Sequence, residues 1–196
     1  MKLDGFRDPF GSVRRPIRKF ARSKDGLAAM EFAFIVPIML LLFIGVVEFS
    51  QALTIDRRVT QVASSAADLI AREKSLTTAD VEGVMQIIAH LVAPYDASRL
   101  KVTVLNVYSG ITDATDTKVC WSHNHNGGVN TYADNQKYGM PAGILGKGSS
   151  AIVAEVTYDY QPLIFEYFLS AFKMEETFYL KPRLSNSVEF NTKKCL

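Results

Sequence analysis

The chain has 196 residues and a formal net charge of +2, with 48% hydrophobic and 21% charged side chains. The first 26 residues carry eight basic and three acidic side chains, whereas the rest of the chain carries 14 basic and 17 acidic ones. Because the basic excess is confined to the N-terminal segment, the composition does not indicate a basic surface for nucleic acid.

Residues 27–49 form an apolar segment that is long enough to cross a membrane. The segment has 23 residues, which is about 35 Å of helix against roughly 30 Å of bilayer hydrocarbon. No side chain between Phe32 and Val47 ionises, and Pro37 is tolerated in a membrane helix. We therefore expect a transmembrane helix over 27–49, preceded by a basic cytoplasmic leader over 1–26.

The charges on the two sides of this segment predict its orientation. Residues 50–69 contain only Arg57 and Arg58 as basic side chains, so the positive-inside rule keeps the N-terminus in the cytoplasm and exports residues 50–196. A cleaved secretory signal is the alternative, but such signals have apolar runs of only about 7–15 residues and a small-x-small cleavage site. No such site closes the run before Ser50.

Glu31 is an acidic residue inside the N-terminal part of this apolar helix. A charge held in lipid costs at least ~2.5 kcal/mol unless it finds a partner. Two interpretations remain open. The carboxyl group is protonated or reaches the headgroups and has no further role, or it pairs with another group during assembly.

The residues at the start of the helix resemble the prepilin-peptidase signal of type IV pilins. The motif is a glycine, four small or apolar residues, an acid followed by phenylalanine, and an apolar helix with an early proline, here Gly26, Glu31, Phe32 and Pro37. More narrowly, the sequence resembles the TadE/TadG-like proteins of bacterial tight-adherence pili. This resemblance covers residues 20–72 and, less closely, residues 151–190.

The resemblance implies a minor pseudopilin of a type IVb-like pilus, which is an assembly component and not an enzyme. It implies cleavage by prepilin peptidase between Gly26 and Leu27, although the leader is long and Asp25 precedes the glycine. Assembly would then use Glu31, Phe32 and Pro37.

The implied location is the bacterial inner membrane, with a single span, a periplasmic C-terminal domain and later incorporation into a pilus. The implied partners are the membrane, the peptidase, pilin and other pseudopilin subunits, and the assembly platform. We expect no cofactor, no nucleic acid and no small-molecule substrate. The rival hypothesis is an unprocessed bitopic envelope anchor or scaffold with a periplasmic interaction domain.

The exported part predicts an α+β, pilin-like fold. Apolar residues at three- and four-residue intervals extend the first helix to about Arg72, and its small residues 63–67 permit packing on another subunit or on the protein's own sheet. A hydroxyl cap at Thr77 with Asp80 predicts a second helix over 79–92. Its expected apolar face is Val81, Val84, Ile87, Ile88 and Leu91, with His90 at the core edge.

Alternating apolar residues predict antiparallel strands over 100–107, 151–160 and 176–190, packed against the first helix. Between residues 109 and 150 the composition is rich in Gly, Asn, Asp and Thr. We expect one long surface loop there, with a short strand at 119–122.

Cys120 and Cys195 both fall in the exported part. An oxidising compartment favours a disulfide between them, and the alternative is two unrelated thiols. Cys120, His123 and His125 could form part of a metal site, but structural zinc needs four ligands, and a bridged Cys120 cannot ligate. The sequence contains no Gly-x-Ser-x-Gly or His-Glu-x-x-His motif, so we expect neither catalysis nor a metal centre.

Overall fold

Helix α1, Asp25–Ala71, contributes to two compact units of the chain, one up to Val47 and one from Glu48 onward. The structure is a computed structural model that describes residues 25–162 and 171–195, with side chains from residue 26. The proposed leader therefore lies outside the described residues, apart from its end. By length and composition, α1 qualifies as a candidate membrane span.

Among its described residues, the second unit contains one further α-helix, α2 (Thr78–Ala89), and six strands. Four of these form an antiparallel sheet in the order β3-β2-β4-β5. The other two, β1 and β6, form a short parallel pair. The strands are β1 Ser75–Leu76, β2 Leu100–Ser109, β3 Thr117–His125, β4 Ser150–Tyr160, β5 Phe172–Leu180 and β6 Glu189–Phe190. The predicted α+β class with an antiparallel sheet is confirmed.

The C-terminal part of α1 packs into the main core of this unit. Val62, Ala63, Ala66 and Ile70 are fully buried against side chains of β2, β4 and α2. Their three- and four-residue spacing places them on one face of the helix. Alanines at this face let the helix backbone approach the sheet closely, so this small-residue stripe packs on the protein's own sheet.

Helix α2 starts where the sequence predicts. The side chain of Thr77 accepts a hydrogen bond from the backbone N–H of Asp80, and the Asp80 carboxylate accepts one from the backbone N–H of Thr77. The predicted apolar face is wrong in part, because Ile87 is 65% exposed and His90 is exposed. The buried face consists of Val81, Met85, Ile88 and Val92, the last in a 3-10 turn that follows the helix.

The expected surface loop 109–150 contains a full strand of the sheet instead of a short one. Strand β3 pairs with β2 along its whole length. The apolar residues among its nine, Val119, Cys120 and Trp121, are consecutive and the other six are polar, so hydrophobic alternation does not show the strand. A register shift at Asn106/Val107 leaves Cys120 as the extra residue, and this β-bulge lets Cys120 and Trp121 both enter the main core.

Residues 126–149 cover the second face of the sheet. Their side chains Tyr132, Tyr138 and Ile144 pack on a smaller cluster that includes Leu105 and Val153. The turn into this layer needs glycine at position 128, where φ is +69° and a Cβ atom would lie 2.4 Å from the Asn124 side chain. The unit therefore has three layers, with helices on one side of the sheet and this segment on the other.

The strand expected over 176–190 is in fact two separate strands. β5 begins earlier, at Phe172, and ends at Leu180, just before Lys181 and Pro182. Proline has no N–H for a ladder hydrogen bond, so it terminates the strand. The chain then crosses to form β6, which pairs with β1.

Candidate functional site

The part of α1 before Glu48 exposes large apolar side chains. Phe32, Phe34 and Phe43 are 69%, 71% and 67% exposed, respectively. Nine other apolar side chains in this part are 53–68% exposed: Leu27, Met30, Ile35, Ile38, Met39, Leu40, Leu41, Leu42 and Val46. A helix that is apolar all round is stable only when lipid or other helices cover it. This segment is therefore a candidate for membrane insertion and helix contact.

The residues that the prepilin-like motif singles out all lie on this segment. Gly26 and Leu27 are in the first turn of α1, Glu31 and Phe32 follow, and the helix continues through Pro37. Glu31 is exposed, and within the described part of the chain it makes no hydrogen bond or ion pair. A carboxylate in an apolar helix without a partner is costly in lipid, so Glu31 has a reason to pair with a charge other than those of the described residues.

Gly26 has no packing role in the structure. A Cβ atom added at this position would meet no other heavy atom within 4 Å. The fold of the described residues therefore does not require glycine here.

Glu48, a second carboxylate on α1, directly follows the apolar run. It is only 6% exposed and accepts a hydrogen bond of 2.9 Å from the Tyr160 hydroxyl at the end of β4. The Tyr160 ring packs on Phe172, with 5.1 Å between ring centroids. Burial, together with the hydrogen bond to Glu48, raises the pKa of Tyr160 above its usual value. Glu48 thus joins the start of the second unit to the sheet.

Cys120 and Cys195 form a disulfide with an S–S distance of 2.02 Å. It fixes the C-terminal segment to the bulge in β3. The same segment is held by Trp121, whose indole N–H donates to the carbonyl oxygen of Val188 at 2.8 Å and whose ring stacks on Phe190. Cys120 is consequently not available as a ligand beside His123 and His125.

The two histidines of β3 face a carboxylate on α2. His125 Nδ1 lies 3.0 Å from Glu82 Oε1, and His123 Nε2 lies 3.3 Å from Glu82 Oε2. Burial raises the pKa of Glu82, but the hydrogen bonds and charges of both histidines outweigh it and hold the pKa below its usual value. In the described residues, no group of three or more His, Cys, Asp or Glu side chains could hold a metal ion.

Glu155 anchors the segment that covers the sheet. This carboxylate is 6% exposed and accepts hydrogen bonds from Asn130 Nδ2 at 2.9 Å, Tyr132 at 2.7 Å and Tyr138 at 2.8 Å. Burial and the Glu155 charge raise the pKa of both tyrosines. Sequence reasoning missed this cluster, although an acid inside the apolar strand β4 was a signal that a buried partner exists.

Residues 26–68 match the model of a protein family described as TadE-like protein. No curated protein and no solved structure matches the chain. The family match confirms the resemblance for the N-terminal segment, and it begins at Gly26. The similarity noted over residues 151–190 lies outside it. The match associates the chain with the tight-adherence pilus system, and the apolar half of α1 fits a membrane location.

Proposed function

We propose that the protein is a minor pseudopilin of a tight-adherence, type IVb-like pilus. In this proposal, prepilin peptidase cleaves after Gly26, and the mature subunit assembles through the N-terminal part of α1. The observation that carries the proposal is the family match, which begins at Gly26 and covers the segment where Glu31 and the large apolar side chains are exposed. The partners would be pilin, other pseudopilins and the assembly platform.

Before assembly, the apolar segment would reside in the inner membrane with the domain in the periplasm. The basic side chains before Gly26 and their scarcity after Phe49 support this orientation. The disulfide between Cys120 and Cys195 fits the oxidising periplasm. The same distribution of charge keeps the leader on the cytoplasmic side, where prepilin peptidase would act.

Cleavage would give Leu27 a free α-amine, which is normally protonated because its reference pKa is about 7.7–8.0. Glu31 lies four residues further along, one turn of helix away. When the helix leaves lipid for a filament, amine and carboxylate both lose water, so burial is tolerable only if they pair. Pairing between neighbouring subunits would also fix their axial register.

The N-terminus of the protein extracted from membranes tests this proposal. Mass spectrometry should find a mature chain that starts at Leu27 in cells that contain the peptidase, and the full-length chain in cells that lack it. Gly26→Val should block cleavage, because the larger side chain hinders access to the peptide bond. The structure gives no reason for this substitution to unfold the protein.

A wild-type chain that keeps its leader in the presence of the peptidase would contradict the proposal. That result would favour an unprocessed envelope anchor or scaffold. Gly45→Val is the matched control, because Gly45 lies in the same helix and an added Cβ atom there also meets nothing within 4 Å. It should be cleaved like the wild type.

A further inference from the structure

A cleft of about 370 Å³ opens beside the first turns of the second unit. Gln51 on α1 forms one wall, the segment after α2 with Tyr95 forms another, and the end of β4 with Tyr158 and Tyr160 forms the third. Tyr95 is half-buried, whereas Tyr158 and Tyr160 are each 3% exposed and the Tyr160 hydroxyl already donates to Glu48. The cleft wall is therefore mainly aromatic ring surface with one partly accessible tyrosine. This composition is typical of a site at the boundary between an apolar and an aqueous phase.

The cleft contains one negative and one positive side chain. Asp96 and Arg99 both line it, with 3.6 Å between Asp96 Oδ2 and Arg99 Nε, and their side chains are 55% and 36% exposed. The backbone N–H of Ser98 donates to Asp96 and lowers the pKa of that carboxyl group. Arginine is always protonated. At neutral pH Asp96 and Arg99 therefore form an ion pair in the cleft, and both side chains remain accessible to a ligand.

The cleft also follows closely on the apolar segment of α1. Gln51 is four residues beyond Val47, the last residue of the run without ionisable side chains. This spacing is about 6 Å along the helix. The headgroup layer on each side of the hydrocarbon is roughly 5–7 Å thick, and tyrosines are enriched there. With the expected span at 27–49, Gln51 lies two residues, about 3 Å, beyond its end and would therefore be at headgroup level.

We propose that this cleft binds the headgroup of a zwitterionic phospholipid that carries a primary ammonium, of the phosphatidylethanolamine type. The lipid phosphate would contact Arg99, and the ammonium would contact Asp96. A choline headgroup has no N–H to donate to the carboxylate, and a glycerol headgroup has no cation to pair with Asp96. The proposal rests on the membrane anchoring of the proposed function, and it does not depend on pilus assembly.

Native mass spectrometry of the full chain in detergent tests the proposal. Lipids with ethanolamine, glycerol and choline headgroups and identical acyl chains are added in equal amounts, and the bound lipid is identified by mass. We expect the ethanolamine lipid to be retained preferentially. Arg99→Gln should weaken its binding about tenfold, because it removes a charged hydrogen bond. Asp96→Asn should shift the preference toward the glycerol lipid.

Asp56→Asn and Arg57→Gln are matched controls, because both residues are exposed on α1 and neither lines the cleft. They should leave lipid preference unchanged. Equal retention of all three lipids, or equal loss of binding in the control variants, would overturn the proposal.

Two further measurements test the remaining alternatives. Inorganic phosphate that displaces the ethanolamine lipid at millimolar concentration would overturn the lipid assignment in favour of a free-phosphate site. Arg99→Lys keeps the positive charge and replaces Arg99→Gln as the test variant if Arg99→Gln fails to fold. It should retain more ethanolamine lipid than Asp96→Asn, and the reverse order would contradict the proposal. Pilus assembly is scored separately, so a failure of lipid binding is distinguishable from a failure of the pilus function.

Discussion

The hydroxyl of Tyr160 donates a hydrogen bond of 2.9 Å to Glu48 Oε1, although 112 residues separate the two. Glu48 is the first residue of the second unit, and the fully buried apolar side chains of α1 begin only at Ile55. The hydrogen bond therefore attaches the first two turns of this part of α1 to the end of β4, ahead of the hydrophobic contacts.

Tyr160→Phe should lower the free energy of unfolding by about 1–3 kcal/mol, because a buried carboxylate loses a donor. Urea denaturation of the full chain in detergent measures this change. Tyr108→Phe is the control, since its hydroxyl bonds to the exposed Asn135, and it should cost less. Hydrogen exchange should also become faster at residues 48–54 in Tyr160→Phe. Unchanged stability and exchange would mean that the hydrogen bond does not hold this segment.

Cys195→Ser should loosen the C-terminal segment. The disulfide closes a loop with a sequence separation of 75, for which the loop-entropy estimate is roughly 4–5 kcal/mol. Because Trp121 and Asn106 still bond to Val188, the observed loss of unfolding free energy should be smaller than this estimate. Thermal unfolding of periplasm-expressed protein, with and without reductant, measures the loss. A wild-type protein that reductant does not affect would contradict the prediction.

The interaction of Glu82 with the two histidines should make stability depend on pH. The pKa of Glu82 is lowered in the folded state from a usual value of 4.5. Its contribution is therefore fully present above about pH 4.5 and is lost as the pH falls through the lower folded-state pKa. The difference in unfolding free energy between wild type and Glu82→Gln should shrink from pH 6 to pH 3.

The control for this experiment removes the partners of Glu82. In a background with His123→Gln and His125→Gln, the effect of Glu82→Gln should vary less with pH, because the groups that lower the pKa are gone. A difference that stays constant from pH 6 to pH 3 in the wild-type background would show that the carboxylate does not gain stability from the histidines.

The helices were predictable from sequence because their signals are local. The spacing of Val62, Ala66 and Ile70 predicts the buried face of α1, and Thr77 with Asp80 marks the start of α2 within a few residues. Strand β4 was predictable for the same reason, because β-branched and aromatic residues recur along it: Ile152, Val153, Val156, Thr157, Tyr158 and Tyr160.

What the sequence did not show depends on partners distant in the chain. Strand β3 carries mainly polar side chains whose partners lie on other elements, such as Glu82 on α2 for His123 and Tyr132 for Ser122. The burial of Glu155 depends on Tyr132 and Tyr138, which lie outside its strand and donate hydrogen bonds to it. Ile87 also fits the helical period but is exposed, because the buried face of α2 lies one residue position further round the helix than the predicted face.

The pairing proposed for Glu31 gives the sharpest test of the pilus function. Glu31 is exposed and makes no hydrogen bond or ion pair in the part of the chain that the structure describes, so Glu31→Ala removes no interaction among those residues. We expect membrane insertion and cleavage after Gly26 to persist. Assembly should be lost, because removing one partner of a buried ion pair costs about 3–5 kcal/mol, which weakens a subunit contact more than a hundredfold.

Sheared pilus fractions, probed by immunoblot for this subunit, measure incorporation of Glu31→Ala against the membrane pool. Glu73→Ala is the control, because Glu73 is also exposed and lies beyond the end of α1; it should assemble like the wild type. Glu31→Asp keeps the charge on a shorter side chain and should retain more assembly than Glu31→Ala. Incorporation of Glu31→Ala at the wild-type level would favour the anchored scaffold, because a subunit that assembles without this carboxylate does not need the proposed pair.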